Sequence, residues 1–552
     1  MRVTSWKAGQ ISFKLGSTPP PARDAQADGA LLTKVLETAR GGDIDAATGL
    51  AEAALAGGLE HPLLLNLVAG RREAEGRFDD ALQLLDKAHA LSPQDVGVRQ
   101  ALGLLLHRLE RYAEALGHFD ALVAAQPGFG PGHAARGLAL EALGDLRGAG
   151  AAYARALELQ PGNLAALAGA ASLESRLGSH VEARAMAERV LAAAPGYPDA
   201  VMTLAAADLA QGTPEAAEAR LRELAADPRV TAQQRALADG LLGDVLDVQG
   251  RAKEAFAAYT DCNARLISAY RDRFGAGQSA LAYARELIEV ARQAPSGAWS
   301  AKAAPPIGDV AGHVFMMGFF RSGASRLEQA LGRRDDVATL DAGDPLIDTV
   351  RAYARRPDDL IRLAGAGEAE LAQLRQAYWA RVAQAGVDPA GKLFIDRQPL
   401  NTLNLPLISK LFPDAKVLFV RRDPRDVVLS SFARRFAMSA PGYQLLTLQG
   451  AADYYDAAMH LAARLGGDFP LDQLVVRHEA LVADFETVAR EACAFLGLDW
   501  SPAMQPAAAP AGPATAGLAA ETVGHWRWYA EPMAAVLPTL APWVDTFGYA
   551  ST

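Results

Sequence analysis

Cysteine is nearly absent: Cys262 and Cys493 are the only two among 552 residues, and they lie far apart. A disulfide framework is excluded, and a reducing compartment, the cytoplasm, is the expected setting. Long apolar runs are missing as well. Nothing reaches the roughly 20 apolar residues that cross a bilayer, and the opening stretch MRVTSWKAGQISFKLGSTPPPARD has no apolar core of signal-peptide length. Neither export nor a membrane span is expected. Positive charge is not in excess, because 54 Lys and Arg face 64 Asp and Glu for a formal net charge of -10. General attraction to nucleic acid or anionic lipid is therefore disfavoured, and any anion site must be local. Half of the residues are hydrophobic and 21% are charged, so the chain folds. At roughly 100 to 200 residues per domain, it holds at least two folding units.

The strongest regularity is a step of 34 residues. Prolines fall at Pro93, Pro127, Pro161 and Pro195, and glycines at Gly76, Gly144, Gly178 and Gly212, with Glu110 in the missing slot. Small residues recur in the same frame at Ala81, Ala115, Ala149, Ala183 and Ala217, and at Ala69, Gly103, Gly137, Ala171 and Ala205. A unit of this length, with small residues on facing helices and Phe119 or Tyr153 between them, is a helix pair that must stack on its neighbours to bury its face. These positions resemble tetratricopeptide repeats. The frame extends from Gly42 and Ala47 to Gly243, Gly250, Ala255 and Tyr259, about seven units within residues 28–272, with a trailing helix to 293. Residues 1–27 lie outside the frame and are read as a flexible N-terminus. A stacked array of this kind presents a groove, expected to take a protein or peptide; the alternative is that it covers the second domain or self-associates. Cys262 falls on a small-residue packing position and is read as a core thiol. His107, His118 and His133 lack metal-ligand spacing.

The segment APSGAWSAKAAPPIGD breaks every period, so residues 294–312 are read as a linker. Beyond it the apolar runs HVFMMGF, KLFID, KVLFV and DQLVV alternate with helical patterns, the signature of a parallel sheet covered by helices over residues 313–552. The expected class is an N-terminal α-solenoid followed by an α/β domain.

The first run ends in Gly318, Phe319, Phe320, Arg321, Ser322, Gly323, Ala324 and Ser325, then a helical stretch. A strand, a Gly-rich turn and a helix N-terminus gather backbone N–H groups around one anion. The spacing is P-loop-like, yet Ala324 stands where GxxxxGK[ST] needs its lysine, which disfavours a nucleoside triphosphatase. Arg321 supplies the cation instead. The run KVLFV leads into Arg421, Arg422, Asp423, Pro424 and Arg425, with Ser430 two helical turns on. Arg422 and Ser430 together are expected to clamp a second anion at the carboxyl edge of the sheet, the alternative being a solvated charge run that caps a helix with Asp423.

GFFRSGASRLEQAL, DRQPLNTLNLPLISKLFPDAKVLFVRRDPRDVVLSSF, DQLVVRHEALVADFETVAREACAFLGLDW and VGHWRWY occur in that order. Over residues 313 to about 550 they resemble the bacterial tetratricopeptide-containing sulfotransferases, which are similar in their core to tyrosylprotein sulfotransferases. The resemblance implies transfer of a sulfuryl group from 3'-phosphoadenosine 5'-phosphosulfate, PAPS, to an acceptor hydroxyl or amine, without a metal. It implies a 5'-phosphosulfate loop at Gly318, Arg321, Ser322, Gly323, Ala324 and Ser325, and a 3'-phosphate pair at Arg422 and Ser430. The family's DKxPxN motif appears as Asp396, Arg397, Gln398, Pro399, Leu400 and Asn401, with Arg397 in the place of the lysine that touches the sulfuryl group. In an ungapped match Asp341 falls on the first glutamate of the family's acidic pair and Ala342 on the second, the catalytic one, whereas one insertion before Pro345 brings Asp344 into play; Asp341 and Asp344 are therefore the two candidate bases.

Three departures stand out. Phe320, Ala324 and Ser325 replace a proline and two threonines of the family loop, Arg397 replaces lysine, and AMQPAAAPAGPATAGLAAETV lacks the family's Ser/Thr-rich closing segment. An active transferase is expected. The alternative is a scaffold that keeps the fold, and even bisphosphate binding, without turnover. His525, Trp526 and Trp528 are read as packing residues, and Cys493 as a helix-core thiol.

Overall fold

The computed structural model describes residues 25–275, 277, 279–295, 297–300, 310–340, 343–506 and 522–550. The chain forms two compact units, residues 1–173 and 174–552. Among the described residues, seven helix pairs occupy the repeat region, from Ala25–Arg40 with Ile44–Ala56 to Ala232–Val248 with Ala252–Phe274, and Ala280–Gln293 follows as a single helix.

The 34-residue step has a steric cause. In the first unit a Cβ on Gly103 would lie 2.5 Å from the ring of Phe119, and one on Gly137 2.6 Å from the ring of Tyr153. In the second, a Cβ on Gly243 would lie 2.5 Å from Tyr259. The first helix of each such pair gives up its side chain so that the aromatic of the second can close onto it. The turn within the pair needs a left-handed residue: φ is +76° at Gly76, +85° at Gly144, +88° at Gly178 and +78° at Gly212. Glu110 holds the same slot at φ 60°, a conformation disfavoured for residues with a Cβ.

The second unit carries a five-stranded, all-parallel sheet in the order β2-β3-β1-β4-β5. The strands are β1 (Gly312–Met317), β2 (Val337–Leu340), β3 (Leu393–Arg397), β4 (Lys416–Arg421) and β5 (Asp472–Arg477). Four of them are the apolar runs of the sequence. The four-residue β2 was not legible as a strand, being flanked in sequence by RRDD and DAGD. Helices cover both faces, so the central strands are apolar on both sides. Val314, Met316, Ile395, Leu418 and Val420 pack with Leu327, Leu331, Phe485 and Cys493. On the other face Phe315, Phe394, Val417 and Phe419 join Tyr378 and Phe412 in a cluster that also contains Leu242, Leu246, Tyr259 and Trp543.

That cluster runs through the compositional break. Trp299 is only 2% exposed. Its ring faces Phe469 at 6.4 Å, and its carbonyl accepts a hydrogen bond from the Ser409 hydroxyl at 3.0 Å. Trp299 thus anchors this segment in the core of the second unit. Both thiols are buried, and burial pushes Cys262 up to about 11. Among the described residues, no helix is long and apolar enough to cross a membrane.

Candidate functional site

An all-parallel sheet puts every strand's carboxyl end on one edge, where ligands of such sheets bind. Here β1 delivers the loop 318–324, β3 ends at Arg397, β4 leads into Arg422 and β5 into His478. The loop is shaped by close backbone approach. A Cβ on Gly318 would lie 2.4 Å from the carbonyl oxygen of Val420, so only glycine passes β4 there. The Gly318 carbonyl accepts from the Thr402 hydroxyl at 2.6 Å, and its N–H donates to the Pro399 carbonyl at 3.3 Å. Ser322 is buried and its Oγ accepts from the Phe319 N–H at 3.1 Å. Gly323 adopts φ +90°, and a Cβ there would lie 2.1 Å from His478 Nδ1. Ala324 precedes the short helix Ser325–Leu331 and its carbonyl accepts from the Glu328 N–H at 3.1 Å.

Arg321 is left-handed, with φ 64°. Its Nε donates to Ser430 Oγ at 2.8 Å. Arg422 is 3% exposed; Nη1 donates to the Arg321 carbonyl at 3.1 Å and Nη2 to the Thr522 carbonyl at 2.7 Å. The two arginines and Ser430 therefore meet in one corner, although 109 residues separate Arg321 from Ser430. Ser430, joined to Arg422 by sequence spacing, accepts from Arg321, and Arg422 reaches the same corner through the Arg321 carbonyl.

Arg397 is ion-paired with Glu328 on the helix after the loop. Asp396, fully buried, accepts from the Tyr378 hydroxyl at 2.8 Å and from Asn401 Nδ2 at 3.3 Å. Burial pushes its carboxyl up to about 7. The Tyr378 hydroxyl also contacts His313 Nε2 at 3.0 Å, and His313 is pushed down to about 3 by burial among aromatic rings. Gln398 donates to the Gly343 carbonyl, which brings the acidic segment beside the end of β3. Asp344 follows, exposed at the surface, its carboxyl raised somewhat by partial desolvation. Asp341 lies outside the described residues.

The closing side of the edge is built from residues 522–529. Asp426 accepts from the Gly524 N–H at 2.7 Å through Oδ2 and from the Trp526 N–H at 2.8 Å through Oδ1. Arg425 is doubly bonded to Asp423 at 2.9 and 2.8 Å, and its guanidinium stands 4.0 Å from the Trp526 ring centroid. His525 and Trp526 are buried as packing residues, whereas Trp528 is exposed. Most of the Ala- and Pro-rich stretch, residues 507–521, lies outside the described residues.

Glu328, Thr402 and His478 were missed from sequence. Glu328 had a signal, since Ser325 and Glu328 have capping-box spacing, but that pattern points to a helix cap and not to Arg397. His478 had none, because only the sheet brings it beneath Gly323.

Comparison with known proteins agrees with this architecture. The model of the sulfotransferase family matches residues 313–502, and that of the tetratricopeptide repeat matches 73–138 and 175–241. None of the curated proteins matches the chain. Similar solved structures include a thermophilic tetratricopeptide protein from Thermus thermophilus, at 22% identity over 33% of this chain and 98% of that one, TM-score 0.30. A tetratricopeptide repeat protein from Parabacteroides merdae shares 18% identity over 44% of this chain and 94% of that one, TM-score 0.34. MamA from Desulfovibrio magneticus shares 20% identity over 30% of this chain and 93% of that one, TM-score 0.26.

Proposed function

We propose, from the premise that the chain belongs to the tetratricopeptide-repeat-containing sulfotransferases, that it transfers a sulfuryl group from PAPS to an acceptor hydroxyl in the cytoplasm. The observation that carries this reading is the convergence of Arg321, Ser430 and Arg422 beside a loop whose Gly318 and Gly323 leave no room for side chains. Fixed guanidinium and backbone donors in one corner suit a nucleotide with two anionic ends. PAPS fits this set as co-substrate and supplies the activated sulfuryl group.

Arg321 and the N–H groups of Ser322, Gly323, Ala324 and Ser325 hold the 5' end, and Arg422 with Ser430 the 3'-phosphate. A new S–O bond forms to the acceptor oxygen as the bond to the leaving phosphate breaks, releasing adenosine 3',5'-bisphosphate. The acceptor proton passes to Asp344 or Asp341, a carboxylate being able to take it as the new bond forms. Arg397 donates to the sulfuryl oxygens, where fixed positive charge lowers the barrier. The repeats present a protein or glycan-bearing acceptor.

The pairing of Arg397 with Glu328 favours a second reading, a scaffold that binds the nucleotide without turnover. Calorimetry with adenosine 3',5'-bisphosphate tests the first: binding is expected and is lost in the Arg321→Ala, Arg422→Ala double variant. No binding to the unsubstituted chain removes it. Binding without release of bisphosphate from PAPS, across protein, glycan and phenolic acceptors, leaves the scaffold.

A further inference from the structure

The segment that orients Arg422 is held from two sides. Asp426 holds it from the transferase side through the N–H groups of Gly524 and Trp526. The second hold comes from the repeats. Asp247, in the helix Ala232–Val248, is 1% exposed. Its Oδ1 accepts from the Tyr529 hydroxyl and meets His525 Nε2 at 2.8 Å. These contacts span 278 and 282 residues of sequence. Phe256, on the other helix of the same pair, lies 6.5 Å from the Tyr529 ring and 5.2 Å from Phe432 at the end of the Ser430 helix. The Asn263 amide donates to the Phe432 carbonyl at 2.9 Å. The last repeat pair is thus built into the wall that carries Ser430 and Thr522.

We infer that Asp247 is a positioning residue for nucleotide binding: by anchoring His525 and Tyr529 it fixes the Thr522 carbonyl, and through that carbonyl the Arg422 guanidinium. The carbonyls of Arg321 and Thr522 accept from different nitrogens of Arg422, so together they set the plane of its fork. With the Thr522 carbonyl displaced, one end of that fork loses the acceptor that aims it. This inference rests on the proposed role of Arg422 and extends it into the repeat helices. It also gives those helices a part in the reaction other than holding an acceptor.

The test is calorimetry of the full-length chain with adenosine 3',5'-bisphosphate. Asp247→Ala is expected to weaken binding about tenfold, the scale on which residues that touch no ligand alter affinity through a shared element. Tyr529→Phe, which removes one donor and keeps the ring, is expected to weaken it about threefold. If Asp247 acts through Arg422, the two are coupled: in an Arg422→Lys background the Asp247→Ala loss falls below about twofold, an outcome that general loosening does not give. In turnover the apparent KM for PAPS rises while the acceptor KM is unchanged. Should Asp247→Ala fail to fold, Tyr529→Phe and His525→Gln carry the measurement. Tight binding by the unsubstituted chain together with unaltered affinity in the folded variants overturns this inference alone. Absence of binding by the unsubstituted chain sinks it along with the sulfuryl-transfer reading.

Discussion

Two residues with positive φ show how a single side chain sets local cost. Glu110 occupies the turn slot that Gly76, Gly144, Gly178 and Gly212 fill elsewhere. A non-glycine residue in this region costs roughly 1–2 kcal/mol, partly offset by the greater unfolded-state freedom of glycine. Glu110→Gly is therefore expected to raise stability by about 1 kcal/mol, measured by denaturant unfolding of the repeat region. Gly323 is the opposite case. Its φ of +90°, and the 2.1 Å that would separate an added Cβ from His478 Nδ1, leave a methyl nowhere to go. Gly323→Ala is expected to cost about 2 kcal/mol or more and to abolish bisphosphate binding, and near-normal affinity in that variant would mean that the loop does not form the anion cradle. Gly323 was legible from its motif, while the reason glycine is needed there was not. His478 opens the short helix His478–Ala483 directly after β5, and no local pattern links the two.

At the level of elements, the repeat helices and the strands were readable because each has a short-range cause. A period of 34 arises from a small residue facing an aromatic within one pair. A strand buried on both faces reads as an unbroken apolar run. Where the cause is long-range, the reading fell short. The Ala, Pro and Ser content of residues 294–312 announced a linker, yet Trp299 sits in the main core against Phe469. Trp299→Ala is expected to lower stability by about 3 to 5 kcal/mol, detected as an earlier thermal transition of the second unit. A change below about 1 kcal/mol would show that the segment is merely draped over the surface. Arg397 teaches the same lesson. Its place in the DRQPLN motif was plain, but its partner Glu328 comes from the helix after the loop, and only the pairing of β1 with β3 brings them together.

For the whole molecule, one apolar cluster includes Ala205, Tyr259, Trp299, Phe394 and Trp543, so within the second unit the last repeat helices share a core with one face of the sheet. A chain beginning at residue 174 is expected to be monodisperse and to melt in one transition, whereas one beginning at 313 exposes the face that Leu246 and Tyr259 cover and aggregates; size-exclusion chromatography distinguishes them. Stability also carries a pH signature from the buried network of His313, Tyr378, Asp396 and Asn401, with Asp344 nearby. Asp396, at about 7 when folded and 3.8 in its ordinary state, holds its proton more tightly in the native chain. Its contribution is fully present below pH 3.8 and is lost as pH rises towards 7. His313 works in the other direction, its contribution being lost as pH falls from 6.5 towards 3. Comparing Asp396→Asn with the unsubstituted chain isolates the carboxyl. Between about pH 5 and pH 8 the variant is expected to gain about 3 kcal/mol relative to the parent, and a pH-independent difference would place the titration elsewhere.

The turn that carries Arg422 has a consequence for biosynthesis. Arg425 beside it donates to the carbonyl of Ala550, 125 residues later, and the Tyr549 hydroxyl donates to Glu479, whose other oxygen accepts from the Asp423 N–H. At roughly 5 to 20 residues per second of translation, β4 leaves the ribosome between about 6 and 25 s before its clasp exists. Over that interval a strand edge rich in arginine waits unfastened. Nascent chains halted before residue 549 should therefore be open to proteases at the 422–426 turn, even with every residue of the candidate site already made.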